Sequence, residues 1–173
     1  MIGYGYRFFD SDESGTEERN ISGSELKNLY DICFKYCDYM SLVITRGDTK
    51  FVSELEQFRT TVSFIPYISD SAGNKLYFEN SGKDIRFYKL VPELKELILK
   101  ISDGIFGFVY CWGYQNPEDP HFYRSDGSVF FGSEIHEGDL ILMPRDGENI
   151  SSIVSNQYWI RPEDYRGSHW SMK

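Results

Sequence analysis

The stretch GIFGFVYCWGYQNPEDPHFYRSDGSVFFGSEIHEGDLILMP, Gly104 to Pro144, decides the fold. Inside it, Asp126-Gly127 separates two short runs rich in aromatic and β-branched residues, His121 to Ser125 and Ser128 to Gly132. An Asp-Gly pair so placed predicts a hairpin closed by a type I′ turn, which needs positive φ at both central residues. Ile105 to Tyr114 before it and Asp139 to Met143 after it add two more strands of an antiparallel sheet. The segment Asn116-Pro117-Glu118-Asp119-Pro120 contains two prolines, which cannot donate to a ladder, and reads as an exposed acidic loop.

Working outward, Pro92 is well placed to open a helix whose buried stripe is Leu94, Leu97, Ile98 and Ile101, with Gly104 ending it. An earlier helix spans about Gly23 to Cys37: Ser22 and Glu25 form a capping box, and Leu26, Leu29, Tyr30, Cys33, Phe34 and Cys37 recur at helical spacing. Thr60 to Ser69, Lys75 to Asn80 and Ile85 to Leu90, separated by turn-forming clusters, read as a three-stranded meander. Ile2 to Phe9 alternates as a first strand, with Met40 to Thr45 as a buried strand beside it. Asp10 to Arg19 is too acidic to bury anything and reads as a loop. Lys50 to Arg59 fits either a short helix or an irregular arm. The fold class that follows is α+β: one domain over residues 1–173, with two main helices on a mainly antiparallel sheet that curls or splits.

Composition narrows the function. With 27 acidic and 18 basic residues the formal charge is -9. That sign opposes nucleic acid, whose phosphates require cations, and anionic membrane surfaces. It favours a basic protein partner, because complementary fields speed encounter. Three cysteines cannot form a fully paired framework, and no leader or membrane-length apolar run is visible, so a reduced, cytoplasmic chain is expected, monomeric or a small homo-oligomer.

Nucleotide-loop, nucleophile-elbow, zincin and paired CxxC signatures are absent from the sequence. The most chemical grouping is Glu134, His136, Glu137 and Asp139, with His121 on a neighbouring strand. Alternation puts Glu134 and His136 on one face, so a metal-assisted or acid/base enzyme centred on Glu134, His136 and His121 is the alternative reading. A metal would still lack its third and fourth ligands, and no metal or other cofactor is expected. From Asp103 to Asn149 nine carboxylates face only Arg124 and Arg145. Trp112, Tyr114 and Tyr123 lie beside those acids, and aromatic anchors within a charged rim have the composition of a protein-binding patch. The expected patch is Trp112, Tyr114, Glu118, Asp119, Tyr123, Glu134, Glu137 and Asp139, without catalytic residues. The function expected from it is a small acidic binding or inhibitor protein that neutralises a basic partner, as a bacterial toxin's immunity protein does.

Overall fold

The two helices form where the apolar spacing demands them. In the computed structural model, which describes residues 3–6, 9–12, 15–18, 20–47, 49–70, 72–77, 82–109, 115–155 and 158–161, α1 runs Gly23–Tyr36 and buries Leu26, Leu29, Tyr30 and Cys33. The Ser22 side chain makes no capping bond; its backbone bridges Gly104 instead. Two shorter helices, α2 (Lys50–Leu55) and α4 (Ser151–Val154), accompany α3 (Pro92–Ile101), which starts on its proline and buries the expected Leu94, Leu97, Ile98 and Ile101. Helix α2 begins with a Thr49 side-chain cap to Val52 N–H, which settles Lys50 to Arg59 as a helix ending in a 3-10 turn.

Among the described residues twelve strands accompany the helices: β1 (Tyr4–Tyr6), β2 (Phe9–Asp12), β3 (Gly15–Glu18), β4 (Tyr39–Val43), β5 (Arg59–Thr60), β6 (Tyr67–Ser69), β7 (Lys75–Tyr77), β8 (Ile85–Lys89), β9 (Glu118–Tyr123), β10 (Val129–Glu134), β11 (Asp139–Leu142) and β12 (Trp159–Ile160). Eight of them form one open antiparallel sheet in the order β12-β1-β11-β10-β9-β4-β8-β5. The fold is therefore α+β. The helices pack on one face, where the Phe122 ring lies 5.5 Å from Tyr30 and 6.1 Å from Phe34. Met40, Leu42, Tyr88 and Phe131 are fully buried in the same core.

Several expectations are corrected. The strand from Met40 does not lie beside the first strand; β4 pairs with β8 and β9, and β1 with β11 and β12. The meander divides: β6 and β7 form a separate ribbon, while β8, which buries Tyr88, joins the main sheet. The described part of the acidic N-terminal stretch pairs as the hairpin β2–β3. Ile105 to Gly107 is a 3-10 turn and Phe108 and Val109 are likewise not strand, while the remainder of that expected strand, 110–114, lies outside the described residues.

The largest correction concerns residues 116–120. Glu118, Asp119 and Pro120 are buried within β9, an interior strand between β4 and β10. Proline is tolerated there because the strand is bulged. Ser41 faces His121 and Val43 faces Glu118, so Asp119 and Pro120 together oppose Leu42. Prolines inside sheets sit at such bulges, and here Asp119 takes the left-handed conformation, φ 50°.

At the other end of β9 the hairpin is present but its turn differs from expectation. Gly127 N–H bonds to Arg124 O at 2.9 Å and Arg124 N–H to Ser128 O at 3.0 Å, with positive φ (84°) at Gly127 alone. This is a type I turn closed by a left-handed glycine. Asp126 selects it by accepting from the Ser128 N–H (3.0 Å) and hydroxyl (2.7 Å). Arg124 anchors the hairpin. Its guanidinium, 7% exposed, grips both oxygens of Glu148 at 2.7 and 2.6 Å and donates to Val129 O and Met143 O. It also lies over the Phe130 ring at 5.2 Å.

Removing one partner of such a pair strands a buried charge. We expect Arg124→Ala to lower the unfolding free energy by about 3–5 kcal/mol in urea titration, and R124L/E148L to recover a large part of the loss. Equal losses in the single and double variants would show that the pair is not what binds this corner.

Candidate acidic site at one end of the sheet

The bulge at Asp119 and Pro120 turns two adjacent carboxylates to different tasks. Glu118 is buried, and its Oε1 accepts a short hydrogen bond from the Thr45 hydroxyl at the end of β4. Its Oε2 lies 2.8 Å from His136 Nε2. Asp119 Oδ1 accepts the Ile135 N–H at 2.8 Å, while Oδ2 lies 3.7 Å from Lys83 Nζ. Two buried carboxylates thus fix the chain where β10 ends and bends toward β11.

That bend is a 3-10 turn, Ile135–Glu137, stopped by Gly138 at φ 72°. It breaks the alternation assumed for residues 134–136, so Ile135 points into the core while Glu134, His136 and Glu137 are exposed. The His136 side chain is 51% exposed, with only Nε2 tied down. Glu134 stands directly across from Asp139 in the β10–β11 register. Like charges in opposed positions cost stability.

The fold therefore brings Glu118, Asp119, Glu134, Glu137 and Asp139 to one end of β9, β10 and β11, from two separate parts of the sequence. Trp112 and Tyr114, like Cys111, lie outside the described residues. Tyr123 sits elsewhere: it is 4% exposed at the far end of β9, covered by Phe64, and shares a 2.8 Å bond with the Ser41 hydroxyl. Burial pushes its hydroxyl pKa up, against that bond, and as a buried ring it does not present a surface anchor.

The rings of His121 and His136 are each held by a different partner, His136 by Glu118. His121 Nδ1 is 2.9 Å from Asp119 O, its ring stacks on Tyr123 at 6.2 Å, and it fills the space left by Gly132, where a Cβ would stand 2.9 Å from His121 Cδ2. Among the described residues no three His, Cys, Asp or Glu side chains are placed to share a metal ion. Cys33 and Cys37 are free and buried in the helix core, and burial raises both thiol pKa values, so they pack rather than react. Sequence reasoning missed Thr45 and the Glu118–His136 contact, because each joins residues that only the strand order makes neighbours.

Burial lowers the His121 pKa, outweighing the opposing bond to Asp119 O. An imidazole depressed in the fold binds its proton more readily when unfolded, so stability falls as pH drops below about 6.5 toward the folded value. We expect H121Q to have a smaller fall in melting temperature between about pH 7 and pH 5 than the wild type. Parallel curves would remove His121 as the cause.

Among the described residues no helix is long and apolar enough to cross a membrane. Compared with family models, curated proteins and solved structures, the chain matches none.

Proposed function

We propose that this chain is a non-catalytic binding protein that engages a basic protein partner through the acidic end of its sheet, in the manner of a bacterial immunity protein neutralising a toxin. The observation that carries the reading is the convergence of Glu118, Asp119, Glu134, Glu137 and Asp139 on one end of β9, β10 and β11. Glu134, His136 and Glu137 present the contact surface, with Asp139 beside them, and the buried Glu118 and Asp119 hold that surface in shape and add field from beneath. Trp112 and Tyr114, which precede Glu118 by a few residues, supply the apolar anchors on the ground of sequence position. In this reading the protein acts in the cytoplasm, as a monomer or small homo-oligomer, with neither nucleic acid nor membrane as its target. The net charge of -9 supports such steering of a cationic partner.

A second reading, acid/base chemistry at His136, has one observation in its favour. The buried Glu118 carboxylate holds His136 Nε2 and leaves the ring half exposed, an arrangement that orients an imidazole for proton transfer. The substitution H136Q separates the two readings, since it leaves every carboxylate of the acidic end in place and removes the group that transfers the proton.

The decisive variant is E134K/E137K, two exposed positions outside the fold's buried network. Immobilised wild type should retain a basic protein from a lysate of the source cell. The reversed variant should bind that protein with an association rate lower by about tenfold or more at low salt, and with a flattened salt dependence. Unchanged rates would sink the proposal.

A further inference from the structure

Between β5 and β8 the chain leaves the main sheet and crosses the face opposite the helices. Strand β5 covers only Tyr88 and Phe87 of β8, and from Thr61 the two diverge around a groove of about 350 Å3 lined by Thr60, Val62, Phe64, Ile85 and Phe87. The crossing segment then closes on itself as the β6–β7 ribbon. Its turn is satisfied internally: the Asp70 carboxylate accepts Ala72 N–H (2.9 Å), Asn74 N–H (2.7 Å) and Asn74 Nδ2 (2.8 Å). Every residue of β7 is exposed, with Leu76 at 41% and Tyr77 at 57%, and Ile65 at the root of the ribbon is 65% exposed.

Among the described residues, Phe64 and Tyr67 attach this segment to the sheet. Phe64 is a peg: its ring lies 5.5 Å from Tyr39, 6.0 Å from Phe87 and 5.9 Å from Tyr123. It rests over Gly127, where a Cβ would stand 2.7 Å from the ring. Tyr67 is a latch: its N–H bonds to Gly127 O at 3.2 Å and its hydroxyl to Asp126 Oδ2 at 3.1 Å, beside an isolated bridge to Ser128. The floor beneath the peg keeps its own pairings without either. Tyr39 faces Lys89 and Tyr123, and Phe87 faces Ser41, within the main ladder.

We propose that Thr61 to Asp70, with its ribbon partner Lys75–Tyr77, is a strap that opens as a unit, lifting Phe64 out of its aromatic cage and uncovering Tyr39, Phe87 and Tyr123 while the eight-stranded sheet stays paired. Among the described residues this two-stranded ribbon is tied to the sheet through Phe64 and Tyr67, and such a ribbon belongs to the low-stability end of a fold, whereas β4, β8 and β9 each have partners on both sides. The strap is independent of the acidic end and regulates access to a different surface, a trough of aromatic rings flanked by the uncovered edge of β8.

Residue-resolved native-state hydrogen exchange tests this. The Tyr67 amide, bonded to Gly127 O, reports on the strap; the Asp38 amide, bonded to Tyr123 O, and the Ile44 amide, bonded to Asp84 O, report on the sheet. In the wild type Tyr67 should exchange through an opening about tenfold or more frequent than that of Asp38 and Ile44. Phe64→Ala should accelerate Tyr67 by a further factor of about ten or more while leaving Asp38 and Ile44 within about twofold, and Phe64→Leu should fall between. Tyr67 exchanging only with global unfolding, F64A accelerating all three amides alike, or F64A failing to fold while F64L folds would each overturn the proposal.

Discussion

A proline in an interior strand is the constraint from which the rest of this structure follows. Pro120 has no N–H to donate, and β9 carries it at a bulge, where an extra residue stands against Leu42 of β4 and the Pro120 carbonyl accepts from the Ser133 hydroxyl of β10. That bulge turns Asp119 to φ 50° and sends its carboxylate to Ile135 N–H, while the preceding Glu118 reaches Thr45 and His136. Bulges re-aim side chains, and here the re-aimed pair determines where β10 stops and how the exposed turn from Ile135 to Glu137 is held. The acidic end is thus a consequence of how a defective strand is accommodated in a sheet.

The opposite end of β9 is held by a different device. Arg124 is deeply buried and fully committed, to Glu148 through two oxygens and to the carbonyls of Val129 and Met143. Asp126, one turn away, is partly desolvated, which pushes its carboxyl up; the bonds from Arg145 and Ser128 outweigh this and hold it well below the usual carboxylate range. It therefore contributes stability throughout the neutral range, lost only as pH falls through its depressed folded value. The charges at this end are matched, whereas at the other end Glu134 opposes Asp139 and Glu137 is exposed beside them. One end of the central strands is closed by a buried ion pair, and the other gathers carboxylates around an exposed turn.

How much of this was legible in the sequence depended on whether the signal was local. The stripes of α1 and α3 and the hairpin at Asp126-Gly127 could be read because periodicity and turn chemistry act over a few residues. Even there the turn type was missed, since the Asp126 side chain, bonded to Ser128 and Arg145, selects type I over type I′. Pro117 and Pro120 pointed to a loop because the neighbour that accommodates Pro120, Leu42, lies far away in the chain. For the same reason Glu118 and Asp119 read as exposed: their partners Thr45, Lys83, Ile135 and His136 arrive from other elements. The gathering of acids was visible as composition, but its geometry needed the strand order β10-β9-β4.

One sheet carries three separable features: a helix-covered core, a clamped end around Arg124, and an acidic end around the Ile135–Glu137 turn, the surface proposed to meet a basic partner. The most direct measurement is an amide chemical-shift map of the intact protein titrated with a lysine-rich peptide at low and moderate salt. The account predicts salt-sensitive shifts concentrated at Glu134 to Asp139 and at Glu118 and Asp119, with the Arg124 corner and the β5–β8 edge unmoved. Shifts spread evenly over the exposed carboxylates, or centred away from that turn, would contradict it.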